Sequence, residues 1–423
     1  MCSGFASKNG PVWLEQRRAT MKAMKDIGLG RTRWEELVQE EVNDLVKLMQ
    51  EEPGRPVDMS EFFASTFANN IMTLVLGTRL PLGHPSTVAV SQFVDLTMRS
   101  FTQVAVGTFF PWLIKLLGKF GAYKDSIPVK KLTEFNQLIM NRSEKESEDN
   151  YIDKYYNEIK LNMKNKMKTS FTESHLRGNT QILLIGGTET SRTSLIYLLM
   201  AMAQFPEIQK KVHEELDQVL GKDGCIKWAD RGKVPYTYAV LMSSRAEPPC
   251  QSCLASQVSK SQSVRLLVVG SPEFVLTNHG RFPAYFNRFH LQNNDKCLIC
   301  DRVSEDIKIH GYDIPKGSYI IANDWFLHNN PKYWSEPEKF IPERFLLDDG
   351  TQVNYKPDSY NPFSYGKRNC PGEMVALITL LHYFTTIMQK FSVLPERDKV
   401  EYGTILGLTH QPTDVKLRFI PRD

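Results

Sequence analysis

The chain has 423 residues, 41% of them hydrophobic, and no Gly/Ser- or Pro-rich linker divides it, so one large domain over residues 1–423 is expected. Its 52 basic and 48 acidic residues leave a net charge of +4, which argues against a general nucleic-acid binder, because binding driven by phosphate neutralisation needs a dense basic face. Seven cysteines in so long a chain do not describe a secreted disulfide scaffold, and the sequence shows neither a signal peptide nor an apolar run of about twenty residues.

In chain order, Gly10-Pro-Val-Trp13-Leu-Glu-Gln-Arg17-Arg18 predicts a helix with Trp13 and Arg17 on one face. An ordinary amphipathic helix with a core tryptophan would read the same way. The uncharged stretch Ser100 to Ile114, with Phe101, Phe109, Phe110 and Trp112, suits either core packing or a membrane-dipping surface. Asn141 to Lys168 is rich in both charge signs and reads as a solvated helix pair or mobile surface. Gln181 to Leu199 is helical at both ends but holds Gly186-Gly187-Thr188-Glu189-Thr190-Ser191 at its centre, all poor helix formers apart from Glu189. Either one helix ends at Gly187 and another begins at Thr188 or Thr190, or one long helix carries a distorted turn opened by hydroxyl bonds to the i−4 carbonyl. Pro206 to Leu220 predicts a further helix.

From Met242 to about Asp301 the sequence sustains no period of 3.6 or 2, apart from the short apolar runs Val264 to Val269 and Phe274 to Thr277. Cys250-x-x-Cys253 and Cys297-x-x-Cys300 could supply a zinc tetrahedron, but their separation far exceeds the ribbon spacing of about 15–20 residues. Pattern resumes at Arg302 and continues through Trp325-Phe-Leu-His328-Asn-Asn-Pro331 to Phe340-Ile-Pro342-Glu343-Arg344-Phe345, a short polar turn.

The most informative stretch is Phe363-Ser-Tyr-Gly366-Lys367-Arg368-Asn-Cys370-Pro-Gly372-Glu373, directly before an apolar helix predicted from Met374 to Phe391. A cysteine at a helix N-terminus meets unpaired N–H groups and the positive dipole end, which favour the metal-binding thiolate. Gly366 and Gly372 let backbone approach a large flat ligand, and Arg368 can pair with a carboxylate on it. These requirements fit a haem held by a cysteine thiolate.

The pattern Phe-x-x-Gly-x-Arg-x-Cys-x-Gly resembles the signature of the cytochrome P-450 family, the haem-thiolate monooxygenases, and the style is closest to the microsomal, drug- and lipid-metabolising branch. The likeness extends over most of residues 4–242 and 302–423, including Asn69-Asn70-Ile71-Met72 and Leu76-Gly77. It implies a mainly α fold with small β-sheets (α+β) and haem b (iron protoporphyrin IX). By the same resemblance Cys370 is the iron ligand, within a loop bounded by Phe363, Gly366 and Gly372, and Arg368, Trp13 and Arg17 hold the propionates. Gly186 and Gly187 leave room for dioxygen, Thr190 and Glu189 relay protons to it, and Arg344 braces the chain behind the haem. The implied chemistry is transfer of one oxygen atom of dioxygen into a lipophilic small molecule. Electrons would come from NADPH through a membrane-bound flavoprotein reductase docking near Lys367 and Arg368, on the cytosolic face of the endoplasmic reticulum membrane.

Two departures qualify that picture. Microsomal members begin with an anchor helix and roughly a hundred residues before the Trp-x-x-x-Arg helix, so this chain is expected to be N-terminally truncated. The family's Glu-x-x-Arg positions fall on Ser243 and Ala246, and residues 242–301 resemble a retained intron or frame-shifted exon. Stranding Arg344 without its buried partners would cost about 3–5 kcal/mol, enough to weaken haem binding in a domain stable by about 5–15 kcal/mol. A non-catalytic product of an aberrant transcript, and a reductase-independent haem-thiolate isomerase or dehydratase, are therefore the alternative readings; the intact Thr190 speaks against the latter.

Overall fold

The computed structural model describes residues 4–28, 32–77, 79–109, 150–166, 169–222, 224–246, 267–269, 301–309, 311–321, 327–406 and 409–422. These form a mainly helical body with small antiparallel sheets, the α+β class expected. The helices are α1 (Gly10–Ile27), α2 (Thr32–Glu51), α3 (Met59–Phe62), α4 (Ala64–Leu76), α5 (Pro85–Phe109), α6 (Tyr151–Lys164), α7 (Glu173–Gln204), α8 (Pro206–Leu220), α9 (Pro235–Ala246) and α10 (Glu373–Lys390). The strands are β1 (Val57–Asp58), β2 (Leu267–Val269), β3 (Asp301–Arg302), β4 (Ile307–Ile309), β5 (Tyr312–Ile314), β6 (Tyr319–Ile321), β7 (Phe391–Pro395), β8 (Gly403–Leu406), β9 (His410–Thr413) and β10 (Lys416–Pro421).

Local chemistry sets most boundaries. Asn150 and Thr172 cap α6 and α7 through the amides of Asp153 and His175, and Pro206 opens α8 where its missing N–H costs nothing. The observed α8 is the helix predicted, and α10 begins one residue before its predicted start and ends one residue before its predicted end. Leu267–Val269, within the apolar run Val264 to Val269, pairs antiparallel with β6, so that Leu267 faces Ile321. The order β2-β6-β3 makes β6 the central strand, while β1-β10-β7 and the hairpins β4-β5 and β8-β9 complete the sheets.

Helix α7 is the structural axis, about 48 Å long at 1.5 Å per residue. It runs unbroken through Gly186-Gly187, so the reading of a helix stop at Gly187 does not hold. Two interactions carry the chain across the weak centre. Thr190 Oγ1 donates to Gly186 O at 2.5 Å, the back-bond anticipated for this segment. Gly187 lets α4 lie against α7: a Cβ built there would stand 2.6 Å from Ile71 Cδ1. Helix α10 packs against α2 and α7 and brings Tyr383 into a buried network. Glu41 accepts from Thr66 Oγ1 (3.0 Å), Asn69 Nδ2 (2.9 Å) and Arg79 Nε (2.8 Å), while Tyr383 Oη meets Thr66 Oγ1 (2.6 Å) and Asn70 Nδ2 (2.9 Å). The sequence element Asn69-Asn70 thus locks α4 to α2 and α10.

Helix α9 forms where the family carries Glu-x-x-Arg, and it packs on the 3-10 turn Pro342–Phe345. Ser243 is buried and donates to Ala239 O at 3.0 Å. The expectation of a stranded Arg344 is corrected: its Nη2 donates to the carbonyls of Glu336 (3.1 Å) and Lys339 (3.0 Å) in the preceding loop. Backbone oxygen atoms take over part of the charge, so the full cost of an unpartnered buried ion does not apply. Of the charged run Asn141 to Lys168, helix α6 is solvated on one face only, since Tyr151, Ile152, Tyr155 and Ile159 are buried. The four cysteines at 250–300, the run Phe274 to Thr277, residues 141–149 and 167–168, the side chain of Ala246, and the aromatic side chains of Ser100 to Ile114 lie outside the described residues.

Candidate active site

The loop Phe363 to Gly372 is built by short backbone closures. The Cys370 amide donates to Phe363 O at 2.8 Å and the Asn369 amide to Gly366 O at 3.2 Å. Gly366 sits at φ +78°, in the left-handed region that favours glycine, at the start of the turn Gly366–Arg368. Behind the loop lies an aromatic brace. The Asn361 amide donates to His328 Nε2 at 2.8 Å, Tyr360 Oη donates to Met242 O at 3.2 Å, and Trp334, Phe345 and Tyr360 rings pack edge-on or tilted. Burial holds His328 well below the ordinary imidazole range, at about 4, so the neutral ring offers Asn361 a lone pair.

Cys370 is a free, half-buried thiol. The amides of Gly372 and Glu373 donate to the sulfur and Arg17 adds positive charge, the effects anticipated for a helix N-terminus. Burial outweighs them, and Glu373 adds to it, so the thiol is pushed up rather than down. The thiolate therefore needs a further positive partner, which a metal ion would supply.

Two arginines clasp this loop to α1. Arg17 Nη2 donates to Asn369 O (2.7 Å) and Oδ1 (2.6 Å). The Arg368 guanidinium lies 4.1 Å from the Trp13 ring centroid and donates to Lys8 O (2.8 Å) and Asn9 Oδ1 (2.7 Å). Trp13, Arg17, Arg368 and the cysteine loop are thus brought together from opposite ends of the chain. Asn9, Asn369, His328 and Asn361 are parts of the site that sequence reasoning missed. Asn9 did carry a signal, an asparagine before Gly-Pro at a helix start; the others carried none.

On α7, residues 176–202 are buried or half-buried except Gly186 and Thr190, which are exposed and lie one turn apart on the same face. A Cβ built on Gly186 meets no atom within 4 Å. The neighbouring residues point elsewhere. Gly187 is filled by Ile71, and Glu189, fully buried, accepts at Oε1 from Thr193 Oγ1 (2.7 Å), Thr409 Oγ1 (2.7 Å) and Gln411 Nε2 (2.9 Å).

These residues fit a haem. Cys370 offers a sulfur ligand not committed to a disulfide. No residue from Asn361 to Met374 is buried, although α10 behind them is sealed. At Gly372 a built Cβ would touch the sulfur at 3.8 Å, and at Gly366 it would meet nothing, so the loop presents bare backbone. Arg17 retains Nε and Nη1 for a carboxylate, with no hydrogen bond from either among the described residues. Within residues 176–202 of α7, the turn at Gly186 and Thr190 is the part left open.

Comparison with known proteins agrees. The family model described as Cytochrome P450 matches residues 2–244 and 298–419. The chain is 30% identical to mouse Cytochrome P450 2J5 over 99% of its own length and 75% of that protein. It is 30% identical to human Cytochrome P450 2U1 over 95% and 67%, and 29% identical to human Cytochrome P450 2J2 over 99% and 75%. A half-buried cysteine whose loop two arginines clasp to the N-terminal segment, in a chain most of which matches the family model, has one consistent meaning: this protein belongs to the cytochrome P450 family of haem-thiolate monooxygenases.

Proposed function

We propose that this chain inserts one oxygen atom of dioxygen into a lipophilic small molecule, with electrons drawn from NADPH through a flavoprotein reductase at the cytosolic face of the endoplasmic reticulum membrane. The observation that carries the reading is the Cys370 loop held by the Arg17–Arg368–Trp13 clasp, and the exposed turn at Gly186 and Thr190 on α7 supports it. Haem b, when bound, supplies the activation of dioxygen. Cys370 would hold it through sulfur, and Arg17 and Arg368, steadied by Asn369, Asn9 and Trp13, would receive its propionates. Bare backbone at Gly366 and Gly372, beside Phe363, lets the loop approach closely. Thr190 Oγ1 holds a proton at rest on Gly186 O and can turn it outward, because that face of α7 is open. Gly186 keeps that face clear, while Gly187 serves packing against Ile71.

Reductase docking falls to the exposed Lys367 and its neighbours, since Arg368 is turned inward onto Trp13. Electrostatic steering there makes turnover fall as salt rises. Among the described residues no helix is long and apolar enough to cross a membrane. A second reading, a non-catalytic protein, rests on Ser243 and Ala246 standing where the family has Glu and Arg. The deciding experiment supplies haem-loaded chain with reductase, NADPH and a panel of lipophilic substrates. Product dependent on both reductase and NADPH supports the proposal. Turnover of hydroperoxides alone would favour the isomerase or dehydratase reading, and haem uptake without any turnover the non-catalytic one.

A further inference from the structure

Residues 4–9 supply two oxygen atoms that hold Arg368, yet the stretch has little structure of its own. It forms one 3-10 turn, Phe5–Ser7, closed by the Lys8 amide on Phe5 O at 3.4 Å. What fixes it lies on α7. The Phe5 amide donates to Asn179 Oδ1 at 2.7 Å, and the Phe5 ring is buried. Gly4 rests on the helix backbone, where a built Cβ would stand 2.5 Å from Gly178 O. A backbone N–H can only donate, so the Asn179 oxygen faces Phe5 and its nitrogen faces the other way. That nitrogen donates to Gln16 Oε1 at 2.9 Å, which also accepts from Tyr155 Oη at 2.7 Å. Gln16 Nε2 then donates to Ser170 Oγ at 2.9 Å, and Ser170 Oγ to Glu15 Oε2. Asn179 and Gln16 are both fully buried.

We propose that Asn179 is a positioning residue for the haem propionates: it holds residues 4–9 and α1 against α7, and so sets where Arg368 and Arg17 present their guanidinium groups. This inference rests on the reading of the two arginines as the propionate clasp. Both arms of the clasp lead back to Asn179. One runs through Phe5 to Lys8 O and Asn9 Oδ1, on which Arg368 Nη2 sits at 2.8 and 2.7 Å. The other runs through Gln16 to the next residue of α1, Arg17. Asn179 itself lies about three turns before Thr190 on α7, so it acts through the arginines and not on the reacting atoms. Without it the Phe5 N–H is left unpaired in the interior, which costs the desolvation of that group. The cheapest relief is for residues 4–9 to lift toward water, and that motion carries away the two oxygen atoms on which Arg368 rests.

Two measurements on the full chain test this, and neither needs turnover. Hydrogen exchange at the amides of residues 5–9 reports local opening of the stretch. Asn179→Leu deletes both bonds at similar volume, and exchange there should rise about tenfold or more. Haem transfer from the loaded chain to an apo-globin acceptor should quicken by about tenfold. In an Arg368→Gln background, itself quicker to lose haem, Asn179→Leu should add less than about threefold, because the main group it positions is gone. Thr180→Val removes a buried hydroxyl on the next residue, which has no partner among the described residues, and should change neither readout. Should Asn179→Leu fold poorly, Gly4→Ala pushes the stretch off Gly178 with Asn179 intact, and it must give the same two rises. Unchanged exchange in both Asn179→Leu and Gly4→Ala overturns the anchor. Unchanged haem loss, or a rise equally large with and without Arg368, overturns the positioning role. If the wild type takes up no haem at all, the haem-thiolate reading fails instead, and the exchange result still decides the anchor by itself.

Discussion

Gly186 and Gly187 are adjacent glycines in one helix, and they should respond to alanine in opposite senses. Each substitution removes backbone entropy from the unfolded chain and improves helix propensity, worth roughly 1 kcal/mol. At Gly186 the new methyl meets nothing within 4 Å, so Gly186→Ala should stabilise by up to about 1 kcal/mol. At Gly187 the methyl would lie 2.6 Å from Ile71 Cδ1 and 2.9 Å from Cγ1, and Ile71 is only 3% exposed, so it must move into packed core. Overpacking costs about 1–3 kcal/mol, which leaves Gly187→Ala neutral to about 2 kcal/mol destabilised after the propensity gain. Ile71→Val deletes the clashing Cδ1. Alone it should cost about 0.5–1.5 kcal/mol, but much less in the Gly187→Ala background, a coupling on the order of 1 kcal/mol. Urea denaturation followed by circular dichroism measures the wild type and all four variants. Gly187→Ala as stable as Gly186→Ala, or an Ile71→Val cost unchanged by the alanine, would refute the packing role. Gly186→Ala should meanwhile lose turnover while gaining stability, because its methyl enters the open face beside Thr190.

Acidification should destabilise the protein through His328. Burial lowers its folded pKa to about 4 from an ordinary value near 6.5, so the unfolded state binds more protons between these values. Stability is present above about pH 6.5 and is lost as pH falls toward 4, by about 3 kcal/mol at most from this residue. The His328→Phe variant should flatten that part of a denaturation-versus-pH curve, and an unchanged slope would contradict the assignment. Because the carbonyls of Glu336 and Lys339 already receive Arg344, putting the family pair back, Ser243→Glu with Ala246→Arg, should leave haem retention unchanged, measured by haem transfer to an apo-globin acceptor. A marked rise in retention would show that those carbonyls do not replace the pair.

Much of this architecture was legible because its signals are local. Pro206 and Gly221 delimit α8, and the turn chemistry around Gly366 and Cys370 announces itself within a dozen residues. What escaped depends on partners distant in sequence. Gly187 is glycine because of Ile71, on another helix, and no pattern within α7 could reveal that. Arg344 found backbone carbonyls, which every residue offers and no sequence motif marks. The amides of Gly372 and Glu373 favour the Cys370 thiolate as the helix N-terminus suggests, but burial, a property of the folded whole that no local pattern reveals, outweighs them. The divergence of Glu189 from Thr190 was readable in principle, since adjacent helical positions cannot share a face; its destination on Thr409 and Gln411 was not.

The central claim is that Cys370 is the iron ligand of a haem held between its loop and the open turn of α7. Its most direct measurement is the absorption spectrum of the full chain after haem addition, reduction and exposure to carbon monoxide, beside Cys370→Ser treated identically. The account predicts the strongly red-shifted Soret band of a thiolate-ligated carbonyl complex in the loaded wild-type fraction, and none in the variant. The same spectrum from both proteins, or a wild-type carbonyl band of imidazole type, would contradict it.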